Sequence, residues 1–191
     1  MFIKKIKNKQ KKGFTVLELM ISLGIMTLLM SITIANFRSF DHDQKLDGDF
    51  EVLAADIRQT QLMALTGQTI SSNRHAYGVN FEVCSEDEVC EYRVFKNNLT
   101  GDKFYQENKL ITGGTKRMTN GIYIGRLDVD GVSQSEVDIV FMPPFVTDDI
   151  YINNSQDDEE LTVTLMSNNT NVEKSIVINR NTGQIKKQIV E

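Results

Sequence analysis

The sequence predicts an α+β protein in which one long N-terminal α-helix packs on an antiparallel β-sheet. Three observations carry that expectation. An uninterrupted apolar run fills residues 14–35, and an amphipathic helical pattern follows it from Asp43. Beyond Ala76 the chain breaks into short alternating runs separated by turn residues, which is how half-buried strands read.

The first element is a basic leader. Lys4, Lys5, Lys7, Lys9, Lys11 and Lys12 all precede Gly13, and no acid does. Without residues 1–13 the Lys+Arg count falls from 21 to 15 against 26 acids, and the formal charge moves from −5 to −11. The net field of that acidic body does not favour nucleic acid.

From Phe14 to Ala35 the chain has 22 residues with one charge, Glu18. At about 1.5 Å per residue a helix of this length crosses a hydrocarbon core of about 30 Å. Lysines on its N-terminal side place that end in the cytoplasm and the body outside. Three readings compete: an uncleaved anchor, a secretory signal peptide with Thr33-Ile34-Ala35 as cleavage triplet, and a processed filament signal. The run is longer than the 7–15 apolar residues of a signal peptide. A carboxylate inside it asks for a partner.

Leu46, Phe50, Leu53, Ile57 and Ala64 form the apolar stripe of the next helical stretch, with Ala54 and Gln61 alongside. Gly67 is placed to end it. A break around Asp41-His42-Asp43 is read as a solvated turn or helix start rather than a metal site. The strands expected are 77–84, 90–96, 138–142, 161–166, 175–179 and 184–190. Pro143-Pro144 stops the central one, 138–142, and Asn181-Thr182-Gly183 turns between the last two. The boundaries are then a leader (1–13), a membrane or filament-core helix (14–36), an amphipathic half-helix (37–67) and an exported β-rich domain (68–191).

No catalytic constellation stands out. The two histidines, His42 and His75, are not near a candidate nucleophile, and the chain has no P-loop or dinucleotide fingerprint. Two cysteines, Cys84 and Cys90, do not make a four-ligand zinc site, and their spacing is not that of a thioredoxin-like pair. Asp128-Val129-Asp130-Gly131 resembles a fragment of a calcium loop but lacks the later acid at the matching distance; it reads as a turn. No enzyme activity, cofactor or metal is expected.

The stretch Lys12-Gly13-Phe14-Thr15-Val16-Leu17-Glu18 resembles the class III signal of type IV pilins and type II secretion pseudopilins. The resemblance implies cleavage by prepilin peptidase between Gly13 and Phe14, N-methylation at Phe14, and a role in assembly for Glu18, whose carboxylate would face the new amino group of a neighbouring subunit. It implies partners as well: other pilins or pseudopilins through the N-terminal helix, the peptidase, the membrane and the inner-membrane assembly platform. The localisation implied is the cytoplasmic membrane, single-pass, with the C-terminal domain outside, and then a filament. The segment lacks the proline that many major pilins carry along this helix, and Ala35 stands at the comparable place. The second half, with Val140-Phe141-Met142-Pro143 and the terminal "SIVINRNTGQIKK", is similar to the GspH/FimT group of minor pilins. A DNA-binding minor pilin is the alternative function, with Arg180, Lys186 and Lys187 as candidates. An exported location permits oxidation, so Cys84 and Cys90, flanking a hairpin tip, are expected to pair.

Overall fold

The computed structural model describes residues 13–66, 75–97, 99, 103–143, 150–168 and 170–190, with side chains 33–40, 170–171 and 190 outside the description. The leader up to Lys12, Gly67 and Pro144 lie outside the described residues. The chain divides into two compact units, Met1–Arg38 and Ser39–Glu191.

One helix, α1 (Val16–Thr66), contributes to both units. Its backbone runs helically through Asp41, His42 and Asp43, so the turn expected there is absent. Asp41 instead pairs with Lys45 one turn on, at 2.6 Å. That is the i,i+4 spacing at which opposite charges support a helix rather than break it.

Among the described residues of the second unit, ten strands form two antiparallel sheets, where the sequence predicts one. The first contains β1 (Ala76–Glu82), β2 (Glu91–Asn97), β3 (Leu110–Arg117), β6 (Glu136–Phe141) and β7 (Ile150–Ile152), in the order β3-β2-β1-β6-β7. The second contains β4 (Ile122–Val129), β5 (Val132–Gln134), β8 (Glu160–Ser167), β9 (Thr170–Asn179) and β10 (Ile185–Val190), in the order β10-β9-β8-β4-β5. β6 ends just before Pro143, as proline requires. β9 and β10 pair around the expected turn, where Gly183 takes a left-handed φ of 65°.

The helical stripe and the strand alternation meet in one core. Leu46, Leu53, Ala54, Ile57 and Ala64 of α1 are fully buried and Phe50 is nearly so. They share a cluster with Tyr77, Val79 and Phe81 of β1, Ile124 and Leu127 of β4, Val163 of β8, and Ile176 and Ile178 of β9. Burial of a side chain of this size contributes about 1.5–3 kcal/mol, so these residues dominate the packing of helix on sheets. Polar contacts fix the register. Asp49 accepts the Thr119 N–H at 2.6 Å and the Thr119 hydroxyl at 2.9 Å. The Tyr92 hydroxyl donates to Asp56 at 2.6 Å, and Gln61 donates to the Gly183 carbonyl at 3.0 Å.

Candidate functional site

Three places carry the residues singled out above: the start of α1, the tip of the β1–β2 hairpin and the β9–β10 hairpin.

At the start of α1, Gly13, Phe14 and Thr15 precede the first helical residue, Val16. Phe14 is 88% exposed, and a Cβ added at Gly13 would meet nothing within 4 Å. The Gly13–Phe14 peptide bond therefore sits in an open, non-helical segment, the backbone form a peptidase can engage. Among the described residues nothing crowds a side chain at this position, so a requirement for glycine would come from whatever handles this bond. Thr15 is the N-cap. Its hydroxyl accepts the Glu18 N–H at 3.2 Å, while a Glu18 carboxylate oxygen accepts the Thr15 N–H at 2.9 Å and the Thr15 hydroxyl at 3.0 Å. This is a capping box, Thr-x-x-Glu ahead of an apolar run. The family resemblance directs attention to a neighbouring subunit for the partner of Glu18. The local partner, Thr15, is signalled instead by the three-residue spacing between the two.

Beyond the box, α1 exposes apolar side chains on all sides. Leu17, Leu19, Met20, Ile21, Leu23, Ile25, Leu28 and Ile32 are each more than half exposed. No helix among the described residues is long and apolar enough to cross a membrane.

At the hairpin tip, Cys84 and Cys90 form a disulfide with a Cα–Cα distance of 5.6 Å. The bridge sits where the two sheets meet. The Cys84 N–H donates to the Ile124 carbonyl at 3.0 Å, and the Ile124 N–H points at the Cys90 sulfur at 3.3 Å. Both contacts cross from the first sheet to β4 of the second. The Tyr123 hydroxyl adds a bond to Glu86 at 3.2 Å. The disulfide thus holds the tip in the shape that docks on β4, a role that sequence spacing does not reveal.

The β9–β10 hairpin does not gather its cations. Lys187 is ion-paired with Glu51 of α1, and its ammonium lies 5.7 Å from the Phe50 ring. Lys174 of β9 does the same with Asp47 and the same ring, also at 5.7 Å. Lys186 directly precedes Lys187 on β10 and so projects from the opposite face. Arg180 lies in the turn and donates to Asn181 at 2.8 Å. The three candidates for DNA binding therefore do not form one surface, and Lys187 belongs to the contact between helix and sheet.

The fragment Asp128–Gly131 is the end of β4 followed by the two-residue turn into β5. Asp130 and Gly131 both have left-handed φ, 48° and 79°, the signature of a type I′ hairpin. The Asp130 carboxylate accepts the Glu160 N–H at 2.9 Å and the Glu159 N–H at 3.0 Å, which uses it as a loop anchor. Among the described residues no group of three or more His, Cys, Asp or Glu side chains is placed to hold a metal.

Residues 8–34 match the family model of the prokaryotic N-terminal methylation motif. Neither the curated proteins nor the solved structures contain a match to this chain. The matched segment contains the open Gly13–Phe14 bond and the whole capping box. It supports a type IV pilin-like substrate of prepilin peptidase and points to a structural role. The fold, an N-terminal helix packed on antiparallel sheets, agrees with that class.

Proposed function

We propose that this chain is a minor pilin or pseudopilin, a structural subunit of a type IV pilus or type II secretion pseudopilus. The observation that carries the reading is the methylation motif itself, with its scissile bond in an open segment and its glutamate fixed at the first helical turn. Residues 14–36 cross the cytoplasmic membrane once, with the leader inside and the β domain outside. Prepilin peptidase cuts between Gly13 and Phe14, and the new amino group on Phe14 is methylated. Extraction by the assembly platform then moves the exposed apolar side chains of α1 from lipid into contact with other subunits. Glu18 neutralises a neighbour's amino group in that apolar setting, where an unpaired charge is costly. Within the class, the GspH/FimT reading rests on the sequence of the terminal hairpin and its Thr182-Gly183 turn.

Mass spectrometry of the protein from a host with an active prepilin peptidase tests the reading. The expected chain begins at Phe14 and is one methyl group heavier than the unmodified peptide. A chain beginning at Met1 or Asn36 in that host rejects it.

A further inference from the structure

The first sheet has a second, smaller apolar cluster on the face turned away from α1. Tyr77, Val79 and Phe81 face the helix, so Gly78, Asn80 and Glu82 face the other way. There Ala76, Phe95 and Val140 are fully buried, with Tyr105 and Tyr151 packed against them. Phe95 lies so close over Gly78 that a Cβ there would come within 2.6 Å of its ring. The cover is residues 103–109, a strap that ends in the 3₁₀ turn Glu107–Lys109. The Tyr105 ring meets Phe95 edge-on at 5.5 Å and carries the Arg93 guanidinium at 5.6 Å.

The strap is tied down at one carboxyl group. Asp138, 6% exposed, accepts the Tyr105 N–H at 2.9 Å on one oxygen and the Asn80 side-chain amide at 2.9 Å on the other. Asn153 grips the Asp138 backbone from the β7 side, accepting its N–H at 3.0 Å and donating to its carbonyl at 2.9 Å. The charges around this group are unbalanced. Asn80 gives its other amide hydrogen to Glu136 at 2.8 Å, and Glu136 stands opposite Glu82 across the β1–β6 ladder. Arg93 donates to Asn80 and to Glu82, at 3.1 and 3.3 Å, rather than to Asp138. From the strap side Lys109 attracts the carboxylate, while the Lys103 ammonium is turned to the Leu99 carbonyl and the Tyr151 ring.

We propose that residues 103–109 form a pH-responsive strap, latched at Asp138, that closes on acidification and loosens as pH rises, uncovering Phe95 and Val140. Closing the strap takes the Asp138 carboxyl out of water beside Glu136. Burial and, to a lesser extent, Glu136 raise its proton affinity, while the Tyr105 N–H, Asn80 and Lys109 pull the other way, leaving it above the ordinary carboxylate value. The closed strap therefore holds a proton that the open strap releases. Its stabilisation is complete below the ordinary aspartate pKa and is lost as pH rises through the raised one.

The Tyr105 amide reports this directly, because its N–H is the latch. Hydrogen exchange is measured on the full-length chain in detergent micelles from about pH 4 to about pH 8, as protection relative to the intrinsic rate at each pH. Tyr105 protection should fall by up to about tenfold per pH unit inside the window between the two pKa values, while amides of β8 in the other sheet stay level. Glu136→Gln, which keeps the amide contact and removes the charge, should move the midpoint to lower pH. Asp138→Asn should leave Tyr105 protection flat with pH. A flat wild-type profile overturns the latch, and so does a wild-type slope that persists in Asp138→Asn. If Asp138→Asn does not fold, an unmoved midpoint in Glu136→Gln overturns the assignment to Asp138.

Discussion

Thr15 and Glu18 satisfy each other at the first turn of α1, hydroxyl to backbone N–H in one direction and carboxylate to backbone N–H in the other. The proposed cleavage after Gly13 would leave both residues in the mature chain, so the box would survive processing. Glu18 caps the start of the helix in the single chain, and the proposed function gives it a second, separable task, carrying charge into an assembly.

Substitutions at Glu18 distinguish those tasks. Glu18→Gln can still close a capping box but carries no charge. It should be cleaved and inserted, and should fail to co-purify with partner pilins. Glu18→Ala should fail in the same assay and also fray the helix start, seen as faster exchange at the Thr15 and Glu18 amides. Normal co-purification of Glu18→Gln would reject the pairing role and leave the cap as the reason for this residue.

Gly13 has open space around it, so its substitutions isolate the peptidase. Gly13→Leu should leave the circular dichroism spectrum unchanged while a gel assay shows the precursor accumulating. Gly13→Ala should be cut in part. Full cleavage of Gly13→Leu would show that the bond is processed by another activity.

The disulfide stitches the hairpin tip to Ile124. Cys84→Ser should lower stability by about 2 kcal/mol, the scale for so short a loop. The Ile124 amide, whose N–H faces the Cys90 sulfur, should lose protection more than amides in β9. Uniform loss across both sheets would mean that the bridge stabilises the domain as a whole and does not act as a local stitch.

Tyr92 is buried and bonded to Asp56, and both effects, burial first, push its phenol well above the ordinary tyrosine value. The folded state therefore holds this proton more tightly, and the stability it contributes is lost only as pH rises beyond about 10. Burial also raises the Tyr77 phenol, so near-ultraviolet titration should show Tyr92 among the tyrosines that ionise only on unfolding, and Tyr92→Phe should reduce that step by one tyrosine. The substitution also leaves Asp56, on the buried side of α1, with Lys116 at 3.9 Å as its remaining partner. A cost of about 1–3 kcal/mol is expected in denaturant unfolding.

Lys186 and Lys187 are adjacent in sequence and opposite in consequence. Lys187→Ala should cost about 1 kcal/mol through its ion pair and its contact with the Phe50 ring. Lys186→Ala should cost nothing measurable. Equal thermal stability of the two variants would remove the clamp between β10 and α1.

Local patterns are legible in the chain itself. The leader, the apolar run, the stripe from Leu46 to Ala64 and the alternation of β1, β2, β6 and β10 each repeat within a few residues. Burial follows the stripe, while β1 and β6 are buried on both faces rather than on alternate residues. The stretch from Leu110 to Gln134 does not read as strands, because its glycines interrupt the period. β3 carries Gly113 with φ of 72°, and β4 slips register at Gly125, where the Met166 side chain closes over the glycine. A bulge adds a residue and reverses the alternation that a period of two relies on.

Short-range order thus encodes the class of this protein: a methylation motif opening an apolar helix, then an amphipathic stripe and strands. Which groups meet is a matter of long-range packing. Packing split the strands into two sheets and set the cystine against Ile124 of the other sheet. It committed Lys187 to Glu51 across 136 residues of chain and buried Asp138 under a strap. Periodicity fixes which face of an element is apolar. The partner that covers that face is chosen among distant segments, and a charge on it changes from solvated to committed only when that packing is complete.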